Sequence, residues 1–210
     1  GVSIMQLPFF YIGHTIAKYK NVPQDGFSWP YQYSIMLGAI CWFFIGLLFL
    51  RKALLNFFSD SITGITILFL FLATNLPQYV AVNGAMSHSF IFPMYCIVLW
   101  LTIRWHKKPA PVFAFLIGLV CGLATISRPT EIIMIFIPLL WACQTKELFI
   151  QKWHFVKQHP IHLCLAAAGV LIGILPQLVY WQYTTGSIIY DVGSKWYFLN
   201  PWFRVLFGFH

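Results

Sequence analysis

The chain has 210 residues, of which 60% are apolar and 19% aromatic but only 9% charged, against roughly one-quarter charged in a soluble domain. That composition excludes an ordinary soluble domain and points to an integral membrane protein. The formal charge of +8 makes no nucleic-acid face, because Lys and Arg fall in short clusters between apolar runs, which is the pattern of membrane topology.

In chain order, residues 1–19 are apolar but interrupted by Pro8, Gly13 and His14, and Lys18 and Lys20 close the run. This reads as an interfacial helix. Residues 21–30 hold Pro23, Asp25-Gly26 and Trp29-Pro30, a turn-rich loop with an aromatic edge. Apolar runs long enough for most or all of a bilayer crossing follow near 33–50, 62–76, 90–103, 110–127, 130–143 and 162–181. The predicted fold is therefore all-α, a polytopic transmembrane helix bundle of about six spans forming part of a single transmembrane domain. A polar island at 76–89 separates the second and third spans, and a basic linker at 144–160 precedes the last. Residues 182–210 mix Asp191, Lys195 and Arg204 with Tyr and Trp, which predicts an amphipathic tail on the outer face. The chain starts at Gly1 without a methionine, and the reading is of an internal fragment.

Loop charge sets the orientation. Arg51, Lys52, Arg104, Lys107, Lys108, Lys146, Lys152 and Lys157 fall on one side, and Lys18, Lys20, Arg128, Lys195 and Arg204 on the other. The first set is the larger and is assigned to the cytoplasm. The polar and irregular segments then lie outside, which is where chemistry is expected.

The pentapeptide Ser127-Arg128-Pro129-Thr130-Glu131 places two opposite charges and a proline between two apolar runs. Pro129 suits the first turn of a following helix, with Glu131 at the positive end of its dipole. Arg128 at the lipid–water boundary is a candidate phosphate ligand; the competing reading has it snorkel to the headgroups and pair with Glu131 to lock the turn. His88, between Ser87 and Ser89, is either a second phosphate contact or an interfacial helix-start histidine; no GxSxG elbow supports a hydrolase. Asn83 and Gln78 are supporting polar candidates in the same island, and Asp25-Gly26 reads as a turn dipeptide. Gly118 and Gly122, and Gly169 and Gly173, are spaced for close helix packing. Cys41, Cys96, Cys121, Cys143 and Cys164 lie in apolar runs without CxxC spacing, so neither disulfides nor a metal site is expected, and no cofactor is identified.

Four segments together carry a resemblance: the Gly1-Val2-Ser3-Ile4 start, Asn83-Gly84 through His88-Ser89-Phe90, Gly118-Leu119 through Gly122-Leu123-Ala124, and the Ser127-Arg128-Pro129-Thr130 turn. The chain resembles bacterial GT-C class membrane glycosyltransferases, and is similar within them to the dolichyl-phosphate-mannose protein mannosyltransferase and aminoarabinose transferase group. The resemblance implies transfer of a sugar from a polyprenyl-phosphate donor to a lipid or protein acceptor. It implies a multi-pass protein of the bacterial inner (cytoplasmic) membrane whose active face is periplasmic or extracellular. It also implies that Arg128, with His88, meets the donor phosphate, and that the catalytic carboxylate lies upstream of Gly1. The alternative is a polytopic transporter or lipid-binding bundle in which Arg128, Glu131, Asn75 and Gln78 line a polar path.

Overall fold

The computed structural model describes residues 1–188, and these form helices and turns without strands. The predicted tail from 189 onward lies outside the described residues. Two helices are long and apolar enough to cross a membrane, α2 (Trp29–Leu54) and α9 (Pro160–Thr185), judged by length and composition. Asp60–Ala73, Pro111–Ser127 and Pro129–Leu140 are apolar but shorter. Among the described residues the structure thus supplies two candidate full-length spans where the sequence predicts about six.

The differences have local causes. Residues 1–19 form α1 (Val2–Tyr19), which lies along the first half of α2. Trp42 Nε1 donates to the Met5 carbonyl at 3.1 Å, and His14 Nδ1 meets the Tyr31 hydroxyl at 2.7 Å. The predicted span at 62–76 becomes α3 (Asp60–Ala73) and a short α4 (Leu76–Ala81). Pro77 has no N–H for the Ala73 carbonyl, so α3 does not run on through it, and the Thr74 backbone between the helices is extended. The third span lengthens to α5 (His88–Lys107), and its polar ends lower its mean hydropathy. The fourth becomes α6 (Pro111–Ser127).

After α6 the chain forms a 3-10 helix (Pro129–Ile135) and then only five α-helical residues, α7 (Phe136–Leu140). Thr130, Ile132, Ile133 and Ile135 are β-branched and crowd an α-helical turn. Pro138 offers no N–H to the carbonyl four residues back. At rises of about 2.0 and 1.5 Å per residue the two pieces reach roughly 21 Å, short of a hydrocarbon core of about 30 Å. The linker predicted at 144–160 is a helix, α8 (Lys146–Gln158), where the Thr145 side chain accepts from Leu148 N and Glu147 and Lys157 suit the two ends of the dipole.

Packing depends on small residues. A Cβ on Gly46 would stand 2.9 Å from Pro93 Cα, so glycine lets α2 and α5 meet closely. Phe43 and Phe92 then sit 5.5 Å apart and Phe49 and Trp100 5.1 Å apart between ring centroids. On α6 and α9 the predicted glycine pairs face one another. Gly173 lies against Leu119 and Gly122, Gly122 against Val170, Gly118 against Ala166, and Gly169 against Phe115. The core of the first unit holds Phe90, Met94, Val98, Leu101, Cys121, Ala124 and Met134, all nearly or fully buried.

Gly1–Leu175 forms one compact unit, and a second begins at Pro176. In the described part of the second, α9 continues to Thr185, with Thr184 and Thr185 hydroxyls donating to the carbonyls of Tyr180 and Trp181. In the first unit, large apolar side chains face outward, including Leu48, Phe69, Leu72, Ile133 and Leu171. So many exposed apolar side chains are what a surface facing lipid would carry.

The cations gather at one end of the first unit. Arg51 pairs with Asp60 at 2.6 Å, and Lys107 donates to Asn56 at 2.6 Å. Lys152 reaches His106, and Arg104 lies over Trp100 and Phe113. Arg128 and His88 lie at the opposite ends of α6 and α5.

Candidate functional site

The Arg128 turn is fixed by backbone chemistry. Proline at 129 disfavours the helical region for the residue before it, and Arg128 is extended at φ −150° and ψ 122°. Its own N–H still closes α6 on the Ala124 carbonyl at 2.9 Å, while its carbonyl accepts from Glu131 N at 2.9 Å to open the 3-10 helix. Pro129 takes the first helical position, as the sequence predicts. The main chain at Arg128 is therefore held from both sides.

The side chains converge on the guanidinium. Glu131 is 8% exposed, and its two carboxylate oxygens have different partners. Oε2 accepts from the Tyr95 hydroxyl at 2.7 Å, and Oε1 lies 3.7 Å from Arg128 Nε. The latter is an ion pair beyond hydrogen-bond range. On the other side, Arg128 Nη1 approaches His88 Nδ1 at 3.4 Å. An arginine can only donate, so this contact requires His88 to present the Nδ1 lone pair and carry its hydrogen on Nε2. The His88 ring is stacked on Tyr79 at 5.0 Å and 27° between planes. The Ser89 hydroxyl, next in sequence, donates to the Tyr79 carbonyl at 3.2 Å and ties α4 to the start of α5.

The result is a braced cation. The Arg128 side chain keeps 42% of its surface exposed, so its planar fork retains donors for an external acceptor. Glu131 is committed to Tyr95 and Arg128 and offers no free base. Charge-assisted hydrogen bonds of the kind Arg128 could make to a phosphate contribute about 1.5–3 kcal/mol each.

The other predicted residues fall elsewhere. Asn83 lines a separate groove of about 510 Å³ between the start of α2 and the turn at 82–86, with Gly26, Phe27, Gln32, Met36 and Met86 in its wall. Gln78 is exposed on α4. Asp25 accepts from the backbone N–H groups of Phe27 and Ser28 at 2.8 Å each, and these bonds, Phe27 first, hold its carboxyl below the usual range. It is a turn-maker, with Gly26 at φ +80° beside it. Among the described residues no group of three or more His, Cys, Asp or Glu is placed to hold a metal, and the five cysteines are free thiols.

Tyr95 and Tyr79 are the members of the site that sequence reasoning missed. Tyr95 had a signal: it follows His88 by seven positions on one helix, two turns on, and so shares its face. Tyr79 sits on a different short helix, and no periodicity connects it to His88.

No protein family, no curated protein and no solved structure matches the chain.

Proposed function

We propose that this chain is part of a multi-pass bacterial inner-membrane glycosyltransferase. It takes a sugar from a polyprenyl-phosphate donor and passes it to a lipid or protein acceptor at the periplasmic or extracellular face. The observation that carries the proposal is the half-exposed Arg128 guanidinium, braced between Glu131 and His88 at the end of the bundle opposite the cation-rich one. A leaving phosphate anchored in lipid needs a fixed cation at headgroup depth, because charge develops on that phosphate as the glycosidic bond breaks. Arg128 supplies the cation, and His88, whose Nδ1 faces Arg128, offers Nε2 as a second contact for the phosphate. The acceptor's proton needs a carboxylate, and Glu131 is not assigned that role because Tyr95 and Arg128 occupy it.

The test uses the full-length enzyme with a polyprenyl-phosphate sugar at subsaturating concentration. Arg128→Ala is expected to lower the transfer rate by about ten- to a hundredfold, corresponding to one lost charge-assisted bond. Arg128→Lys should fall between, since lysine keeps the charge and loses the fork. His88→Ala should weaken donor binding more than it lowers the melting temperature. Parental transfer by Arg128→Ala at equal expression would remove the assignment.

A further inference from the structure

A cavity of about 320 Å³ opens between α6, the 129–140 segment, α8 and α9, on the cation-rich half of the unit. Ile117, Cys121, Leu139, Val156, Ala167 and Val170 are among its wall residues, and Trp105 and His162 supply its polar atoms. Those two satisfy each other: Trp105 Nε1 donates to His162 Nδ1 at 3.0 Å. The interior asks for nothing but hydrocarbon, and its volume lies at the lower end of the ligand-pocket range of roughly 300–1,000 Å³.

Its basic end is different. Lys152, from α8, donates to the Pro138 carbonyl at 3.0 Å and lies 5.3 Å over the Trp105 ring. Pro138 and Trp105 are themselves wall residues, so the ammonium stands at the cavity's edge. It also meets His106 Nε2, while His106 Nδ1 lies 2.8 Å from the Thr102 carbonyl. That pair of contacts fixes the neutral Nδ1–H tautomer, with Nε2 accepting from lysine. Lys152 is thus held by neutral acceptors, and neither ion pair among the described residues includes it. A half-buried cation without a counter-charge is costly. Burial accordingly lowers the Lys152 ammonium to about 8, with Cys143 opposing the shift.

The surrounding helix has the composition of a membrane-surface anchor. α8 exposes Phe149, Ile150 and Trp153 beside Lys146 and Lys157, with Glu147 its one carboxylate. Its positive charge matches an anionic lipid surface.

We infer that the cavity receives one hydrocarbon chain of an anionic phospholipid from the leaflet at the cation-rich end, with the lipid phosphate held by Lys152. This rests on the membrane part of the proposed function and is independent of the transferase part. The chain fills the dry wall between α6 and α9, and the phosphate supplies the counter-charge that the protein does not.

The experiment is lipid retention by the purified full-length protein, counted by native mass spectrometry with phosphatidylglycerol and phosphatidylcholine of identical chains. The parent should keep one phosphatidylglycerol in preference by about tenfold, as one charge-assisted contact provides. Lys152→Gln should abolish the preference and Lys152→Arg should keep it. Ala167→Phe, on the exposed side of the cavity, should lower retention of both lipids without lowering the melting temperature. Glycerol phosphate at the same concentration should not compete; competition would identify a free phosphate site and overturn the lipid assignment. Equal retention of the two lipids by the parent, or unchanged retention by Ala167→Phe, would also overturn it. A parent that stays monodisperse without detergent would instead sink the membrane reading itself.

Discussion

The Tyr95 hydroxyl donates to Glu131 across 2.7 Å, joining α5 to the segment after Arg128 over 36 positions of sequence. This bond decides how the Glu131–Arg128 pair should be read. A surface pair at 3.7 Å contributes little, whereas a buried carboxylate holding a phenol anchors its neighbours. Tyr95→Phe is expected to cost about 1–3 kcal/mol by removing a partner from a buried charged acceptor. Glu131→Gln, which keeps an acceptor for Tyr95, should cost about 1 kcal/mol or less. Thermal unfolding in detergent checks both; equal losses would mean that the ion pair, not the phenol, holds the turn.

The glycine contact between α6 and α9 makes a sharper test of packing. A Cβ at Gly118 would collide with the Ala166 backbone, while one at Gly64 meets nothing within 4 Å. Backbone cannot rotate away as a side chain can. Gly118→Ala should therefore lower the melting temperature or abolish the fold, and Gly64→Ala should be neutral or stabilise by up to about 1 kcal/mol. A harmless Gly118→Ala would show that the two helices stand farther apart.

Orientation can be read from thiol labelling. In a background lacking the native cysteines, Lys107→Cys and Gln24→Cys should react with an impermeant reagent from opposite sides of the membrane. Lys107 bonds Asn56 at the cation-rich end, and Gln24 precedes the Asp25 turn before α2. Reaction of Lys107→Cys from outside would reverse the topology.

Lys152 offers a titration. Because burial lowers its ammonium to about 8, its neutral, reactive amine accumulates as pH rises through 8, whereas an ordinary lysine waits until about 10.4. Acylation of Lys152, followed by peptide mass spectrometry, should rise about two units earlier than that of a solvated lysine. Added phosphatidylglycerol should suppress the early rise, since a phosphate favours the charged form. Labelling that tracks the solvated lysines would remove the desolvation argument.

Much of this was legible in the residues. Helix content, the Pro129 start, the Arg128–Glu131 pairing, the glycine faces and the clustering of basic side chains all follow from local rules. The 130–143 run falls short of a span because an apolar count does not weigh how β-branching and the missing Pro138 N–H shorten a helix. α8 was hidden for the opposite reason. Its Lys and Gln lower the average over 144–160, though Thr145 as a cap and the apolar Leu148, Phe155 and Val156 mark one face. At the site, Arg128 and His88 could be named, but Tyr79 and Asn83 could not be sorted. Which side of a short helix meets a distant residue is decided by tertiary packing alone.

The glycine seam between α6 and α9 has a mechanical consequence. Where two main chains touch through glycines, no flexible side chain lies between them to take up a displacement. The pair moves as one strut, carrying Arg128 at its tip. A displacement at Arg128 is absorbed by the neighbouring piece, the seven residues of 3-10 helix from Pro129 and the five of α helix that follow. That piece has weaker hydrogen-bond geometry, with buried Glu131, Met134 and Pro138 as its anchors. Arg128 thus sits between a stiff helix pair and a 3-10 segment whose one fixed point nearest the guanidinium is Glu131, held by Tyr95.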